Sequence, residues 1–118
     1  MRVLIIEQEK TLQRSLSNFM ERHQSFEVFL AHSKKEGMSF LQATPCDIVL
    51  CGDRLSDGNG LEILEELMQQ DPQVISILMT TQSDETLKQE AFRAGIRGYL
   101  EKPFDLKQLE EAMGINRP

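Results

Sequence analysis

The chain has 118 residues, 40% hydrophobic and 27% charged, which is enough for one domain with a real core and too little for two. Those proportions exclude a disordered chain. A formal net charge of −6, from 19 acidic and 13 basic side chains, carries none of the basic footprint that nucleic-acid binding requires.

The first apolar run, residues 3–6, reads as a strand; it is too short for a signal peptide or a membrane span. Leu12, Leu16, Phe19 and Met20 then recur at helical spacing. Residues 26–31 form the second run. The helix expected over residues 33–41 is weakened by Gly37. The third run, residues 48–51, is apolar on both sides, as a strand covered on both faces must be. Leu61, Leu64, Leu67 and Met68 mark a helix, residues 74–79 a fourth strand, and residues 84–94 a helix with Leu87, Ala91 and Ala94 on one face. Tyr99-Leu100 is the fifth strand, and Leu106, Leu109 and Met113 close the series at spacings of three and four. Strand followed by helix five times over predicts an α/β domain: a doubly wound (βα)5 sandwich with a five-stranded parallel sheet and helices on both faces. Residues 1–113 make up that domain, and residues 114–118 read as a C-terminal tail where a linker could begin.

Cys46 and Cys51 fall in one apolar run. Five residues along a strand span roughly 16 Å, and the odd offset places the two side chains on opposite faces. That arrangement excludes a disulfide between them, and two buried thiols suit a cytoplasmic protein. His23 and His32 have no second ligand at a metal-like spacing and read as surface residues. The methionines at predicted core positions read as core filler.

In a parallel sheet, ligands and chemistry gather at the carboxyl ends of the strands. The candidate residues are therefore Glu7-Gln8-Glu9, Gly52-Asp53, Thr80-Thr81 and Lys102-Pro103. At these residues the sequence resembles the receiver (CheY-like) domains of bacterial two-component response regulators. Val3-Leu4-Ile5-Ile6 with its acidic triplet resembles the family's first strand and acidic pair. The stretch Asp47-Ile-Val-Leu-Cys-Gly-Asp-Arg-Leu-Ser-Asp-Gly-Asn-Gly60 resembles the phosphoacceptor strand and its loop. Leu78-Met79-Thr80 is similar to the strand that ends in the switch hydroxyl, and Ala94 through Phe104 to the fifth strand with its Lys-Pro pair. The resemblance implies a flavodoxin-like fold and a site where the acidic pair and an aspartate hold Mg²⁺. It also implies a hydroxyl that moves toward the phosphoryl group and a lysine that neutralises it.

Carried over residue by residue, the pattern places Glu7 and Gln8 at the acidic pair, Thr80 at the hydroxyl, Tyr99 on the fifth strand and Lys102 before Pro103. The phosphoacceptor position falls on Gly52, 28 residues before Thr80, which is 22 before Lys102. A glycine cannot form an acyl phosphate. Asp53 is the fallback acceptor and Asp57 a weaker one, but using Asp53 needs a one-residue slip that turns a strand side chain to the other face, or a bulge. Otherwise Asp53 reads as a solvated loop carboxylate. Glu7 is the only retained carboxylate of the acidic site, so metal binding is expected to be weak or absent, with no cofactor unless the site still takes Mg²⁺. Glu7 and Lys102 are expected to form a direct ion pair where the metal would sit.

Each motif also has a plainer reading. Thr80 and Thr81 can end a strand and, with nearby Ser83, cap the next helix. Lys102-Pro103 can be turn punctuation, and Asp57-Gly58-Asn59-Gly60 a turn-rich loop. The resemblance implies a partner-binding face on the fourth helix, fifth strand and fifth helix. Here it would display Lys88, Arg93, Arg97, Glu101, Lys107 and Glu111 around an exposed Tyr99, a mixed surface compatible with a protein interface or homodimer and equally with a plain solvated surface.

The leading reading is a non-enzymatic, phosphorylation-independent receiver, a protein-interaction or dimerisation module whose partners are a histidine kinase or an output domain. The alternatives are a receiver phosphorylated on the displaced Asp53, and a small-ligand or flavin domain on the same scaffold. The second alternative is disfavoured because Glu7-Gln8-Glu9 after the first strand repels phosphate.

Overall fold

In the computed structural model, which describes residues 1–22, 25–82 and 84–114, strand and helix alternate along the chain. The order is β1 (Arg2–Ile6), α1 (Lys10–Glu21), β2 (Glu27–Ala31), α2 (Lys34–Ala43) and β3 (Ile48–Gly52). A small hairpin follows, β4 (Arg54–Leu55) and β5 (Gly58–Asn59), and then α3 (Gly60–Gln70), β6 (Ile75–Thr80), α4 (Glu85–Arg93), β7 (Gly98–Glu101) and α5 (Leu106–Met113). The five long strands form one parallel sheet in the order β2-β1-β3-β6-β7. This is the flavodoxin-like arrangement read from the sequence; the β4–β5 hairpin is an addition that no run of two residues could announce.

Strand side chains alternate between faces, and the core accordingly divides into two layers. On one side Leu4, Ile6, Val49, Cys51 and Leu78 pack against Leu61, Leu64 and Met68 of α3 and Ala91 of α4. On the other, Val3, Ile5, Ile48, Leu50, Ile77 and Met79 pack against Leu16, Phe19 and Met20 of α1 and Leu109 and Met113 of α5. Each fully buried aliphatic side chain contributes about 1.5–3 kcal/mol relative to exposure. These layers hold the strand ends, and hence the candidate residues, in fixed register.

Helix starts are set by short polar side chains. Ser33 accepts from the Glu36 N–H, Asn59 from Leu61, and Asp105 forms a reciprocal capping box with Gln108. For α4 the cap is Asp84, which accepts from the Thr86 N–H at 2.9 Å. The threonine-based capping expected from the sequence is therefore replaced, and Ser83 lies outside the described residues. Gly37, which weakened the expected helix at 33–41, has a packing reason. A Cβ there would lie 2.6 Å from Ile6 Cδ1, so the absence of a side chain lets α2 approach β1.

Two further expectations are corrected. Cys46 precedes β3 instead of lying in it, and it joins the same core layer as Cys51; both thiols are free. Leu106 opens α5 and is 48% exposed, so Leu109 and Met113, with the partly buried Ala112, anchor that helix in the core. His23 and residues 115–118 of the expected tail lie outside the described residues. Among the described residues no helix is long and apolar enough to cross a membrane.

Candidate functional site

The carboxyl ends of β1, β3, β6 and β7 meet at one end of the sheet. Glu7, immediately after β1, is 1% exposed, and its Oε1 lies 2.9 Å from Lys102 Nζ at the end of β7. Its other oxygen accepts the Glu9 N–H at 2.9 Å. Lys102 is also 3.8 Å from the exposed Glu9 carboxylate. A buried carboxylate is tolerated only when its charge and lone pairs are satisfied, and both conditions are met here.

The orientation of Glu7 follows from Gly52. A Cβ built on Gly52 would lie 2.6 Å from Glu7 Oε1, so the glutamate occupies the space that a side chain at position 52 would need. Gly60, at the start of α3, packs against the Gly52 carbonyl: a Cβ on Gly60 would fall 1.9 Å from that oxygen. Below them Cys51 is fully buried. Burial first, then the nearby Glu7 and Asp53 charges, push its thiol far above the ordinary range and leave it unreactive.

Asp53 is not a solvated loop carboxylate. It is half-buried, its N–H donates to the Met79 carbonyl at 2.8 Å, and its Oδ2 accepts the Thr80 hydroxyl at 2.6 Å. Thr80, fully buried, in turn accepts the Gln82 N–H at 3.0 Å. The Tyr99 hydroxyl donates to the Gln82 carbonyl at 3.1 Å. A continuous polar chain therefore runs Asp53–Thr80–Gln82–Tyr99. Tyr99 is half-buried instead of exposed, and desolvation is the first cause raising its hydroxyl pKa. The sequence reading missed the Asp53–Thr80 contact, although pairing of Gly52 with Met79 places the next residues of the two strands side by side.

The other candidates are not drawn in. Gln8 is exposed, and the Lys102-Pro103 peptide is cis. Asp57 accepts the backbone N–H groups of Lys34 at 2.7 Å and Lys35 at 3.0 Å. These bonds, that of Lys35 first, hold its carboxyl below the usual range, and they bind it to the start of α2. On the α4–β7–α5 face Arg93, Arg97, Glu101, Lys107 and Glu111 are exposed, while Lys88 is half-buried. Among the described residues no three or more His, Cys, Asp or Glu side chains are grouped as a metal site.

Comparison with known proteins agrees with this architecture. The family model for the response regulator receiver domain matches residues 3–114. The regulatory protein AtoC of Escherichia coli is 31% identical over 92% of the chain, which spans only 23% of AtoC. Its compatriot KdpE, the KDP operon transcriptional regulatory protein, is 30% identical over 96% of the chain, which spans 49% of KdpE. The non-phosphorylated HemR receiver domain of Leptospira biflexa superposes with a TM-score of 0.86 at 26% identity, covering 99% of this chain and 97% of that one. With the fold, the strand-end residues and the family match in agreement, the chain belongs to the response regulator receiver domains of two-component signalling.

Proposed function

We propose that this receiver domain works without phosphorylation, as a protein-interaction module of a signalling pathway. The observation that carries the reading is the placement of Glu7 in the space above Gly52, with Lys102 neutralising it at 2.9 Å. A phosphoacceptor needs a carboxylate at that point, and the residue present has no side chain.

The donor set does not fit Mg²⁺. Such an ion takes a few carboxylates in near-octahedral geometry together with phosphate oxygens. Here Glu7 is committed to Lys102 and the Glu9 N–H, Gln8 is neutral and exposed, and Asp53 is committed to Thr80. Lys102 supplies the positive charge that a metal would otherwise bring.

The same geometry favours a fixed conformation. By resemblance, the switch hydroxyl turns toward a phosphoryl group; the Asp53 carboxylate gives Thr80 a permanent anionic acceptor, and Tyr99 is held through Gln82. The face carrying Lys88, Arg93, Arg97, Tyr99 and Lys107 is then presented in one state to a cytoplasmic partner, whether an output domain, a histidine kinase or a second copy. No catalytic role is assigned to the chain.

A receiver phosphorylated on Asp53 is the second reading, favoured by the nearness of that carboxylate to Thr80. Intact mass after incubation with acetyl phosphate and Mg²⁺ separates the two. An unchanged mass is expected. An added phosphoryl group that disappears in Asp53→Asn would overturn the proposal.

A further inference from the structure

We propose that the free edge of β2 is a docking site for an extended protein segment in which acidic residues alternate with apolar ones. β2 is an outer strand and, among the described residues, pairs only with β1. The Glu27 N–H donates to Met1 and the Ala31 carbonyl accepts from Glu7, so alternate residues 27, 29 and 31 turn their main-chain groups toward β1. The groups of Val28 and Leu30 point the other way, to the open edge.

Two clefts flank this edge, one on each face of the sheet, and they share Leu30, which is 46% exposed. The cleft on the α1 side, about 340 Å³, is lined by Lys10, Gln13, Arg14 and His32 with Ser17 and Asn18. It contains no carboxylate, and neither Lys10 nor Arg14 forms an ion pair within the described residues. In a chain of net charge −6 this is a local reversal of sign. The cleft on the α2 side, about 480 Å³, is lined by Leu30, Ala31 and Phe40 together with Lys35, Glu36 and Ser39, so its apolar surface is the part built by Leu30, Ala31 and Phe40.

A strand added to β2 would bond to the main-chain groups of Val28 and Leu30, and its side chains would fall alternately into the two clefts. Carboxylates suit the cationic cleft, and aliphatic or aromatic side chains suit the Leu30, Ala31 and Phe40 surface of the other. A second copy of β2 fits less well. Antiparallel pairing of two such edges would place both Lys10–Arg14 clefts on the same face across one seam, where like charges repel. This edge lies at the opposite side of the sheet from β7, so occupation here leaves the α4–β7–α5 face free.

The test uses the whole ¹⁵N-labelled chain and an acetylated, amidated peptide alternating glutamate with valine. Shifts and slowed exchange are expected at the Val28 and Leu30 amides, weakening as salt is added. Arg14→Glu, on the exposed side of α1, should weaken binding roughly tenfold. Leu30→Pro should abolish it, because only an outward-facing donor is removed and the β1 ladder is kept. If Leu30→Pro does not fold, Arg14→Glu still decides. No shifts at β2, equal binding of a lysine–valine peptide, or unchanged binding by Arg14→Glu would each overturn the proposal. Protection of β2 that rises with protein concentration without peptide would replace the proposed partner with a second copy.

Discussion

Glu7 and Gly52 share one volume: an oxygen of the glutamate stands 2.6 Å from where the first side-chain atom of residue 52 would be. The glycine at position 52 and the inward placement of the Glu7 carboxylate therefore depend on each other. A carboxylate placed at position 52 without moving Glu7 would leave two negative groups and a steric clash in the same place.

Gly52→Asp alone is accordingly expected to destabilise the fold by about 1–3 kcal/mol, the usual cost of overpacking, and to remain unlabelled by acetyl phosphate. Combined with Glu7→Asp, which shortens the competing side chain, and Gln8→Asp, which adds a second carboxylate beside it, it should gain a Mg²⁺-dependent phosphoryl group. Urea denaturation and intact mass read the two effects. Labelling of the single variant would show that Glu7 yields its position freely.

The Glu7–Lys102 pair should display the asymmetry of a buried ion pair. Lys102→Met leaves a buried carboxylate uncompensated and should cost about 3 kcal/mol, whereas Glu7→Gln, which keeps an acceptor for the Glu9 N–H and leaves Lys102 near Glu9, should cost about half that. The double variant should recover part of the loss, giving a favourable coupling energy in a double-mutant cycle. Simple additivity would remove the pair from the account of stability.

Thr80→Val removes the donor to Asp53 and the acceptor for the Gln82 N–H while nearly conserving volume. A loss of about 1–3 kcal/mol is expected from the unsatisfied groups. The chain has one tyrosine and no tryptophan, so tyrosine fluorescence reports on Tyr99 alone. Quenching by iodide should increase in Thr80→Val as the contact with Gln82 loosens. Unaltered quenching would mean that Asp53 and Tyr99 are not coupled.

The cysteines give a pH dependence. Burial pushes the Cys46 thiol up to about 11 and Cys51 higher still, both above the ordinary thiol value of 9.0. Above that value the unfolded chain releases protons that the native chain retains, so stability is full below pH 9 and falls as pH rises. Denaturation followed from pH 8 upward should show this decline, and Cys46→Ala with Cys51→Ala should flatten it. Native thiols should resist alkylation at neutral pH and react once the chain is unfolded.

Much of this was legible in the sequence because it depends on periodicity. The alternation of residues 3–6 and 48–51 with helices carrying Leu16, Leu64 or Leu109 is repeated in the two core layers. The Glu7–Lys102 contact was also readable, since charge counting at the strand ends leaves one carboxylate facing one ammonium. What escaped was set by three-dimensional proximity instead of local pattern. Asp53 looked like a loop residue until the β3–β6 register brought it beside Thr80. Gly37 looked like a weak point in a helix until Ile6 was found beneath it. Cys46 looked like part of a strand because it stands only two residues before Ile48, yet Asp47 interrupts the apolar run and β3 begins at Ile48.

The ion pair between Glu7 and Lys102 joins residues 95 apart, nearly the length of the chain. On the ribosome, the first strand emerges early but its terminal carboxylate cannot find its counter-charge until the last strand has left the exit tunnel. Until Lys102 has been made, Glu7 lacks the counter-charge on which its buried place in the native fold depends. The clasp thus ties the end of β1 to the end of β7 only once the chain has been made through Lys102, with α5 still to follow.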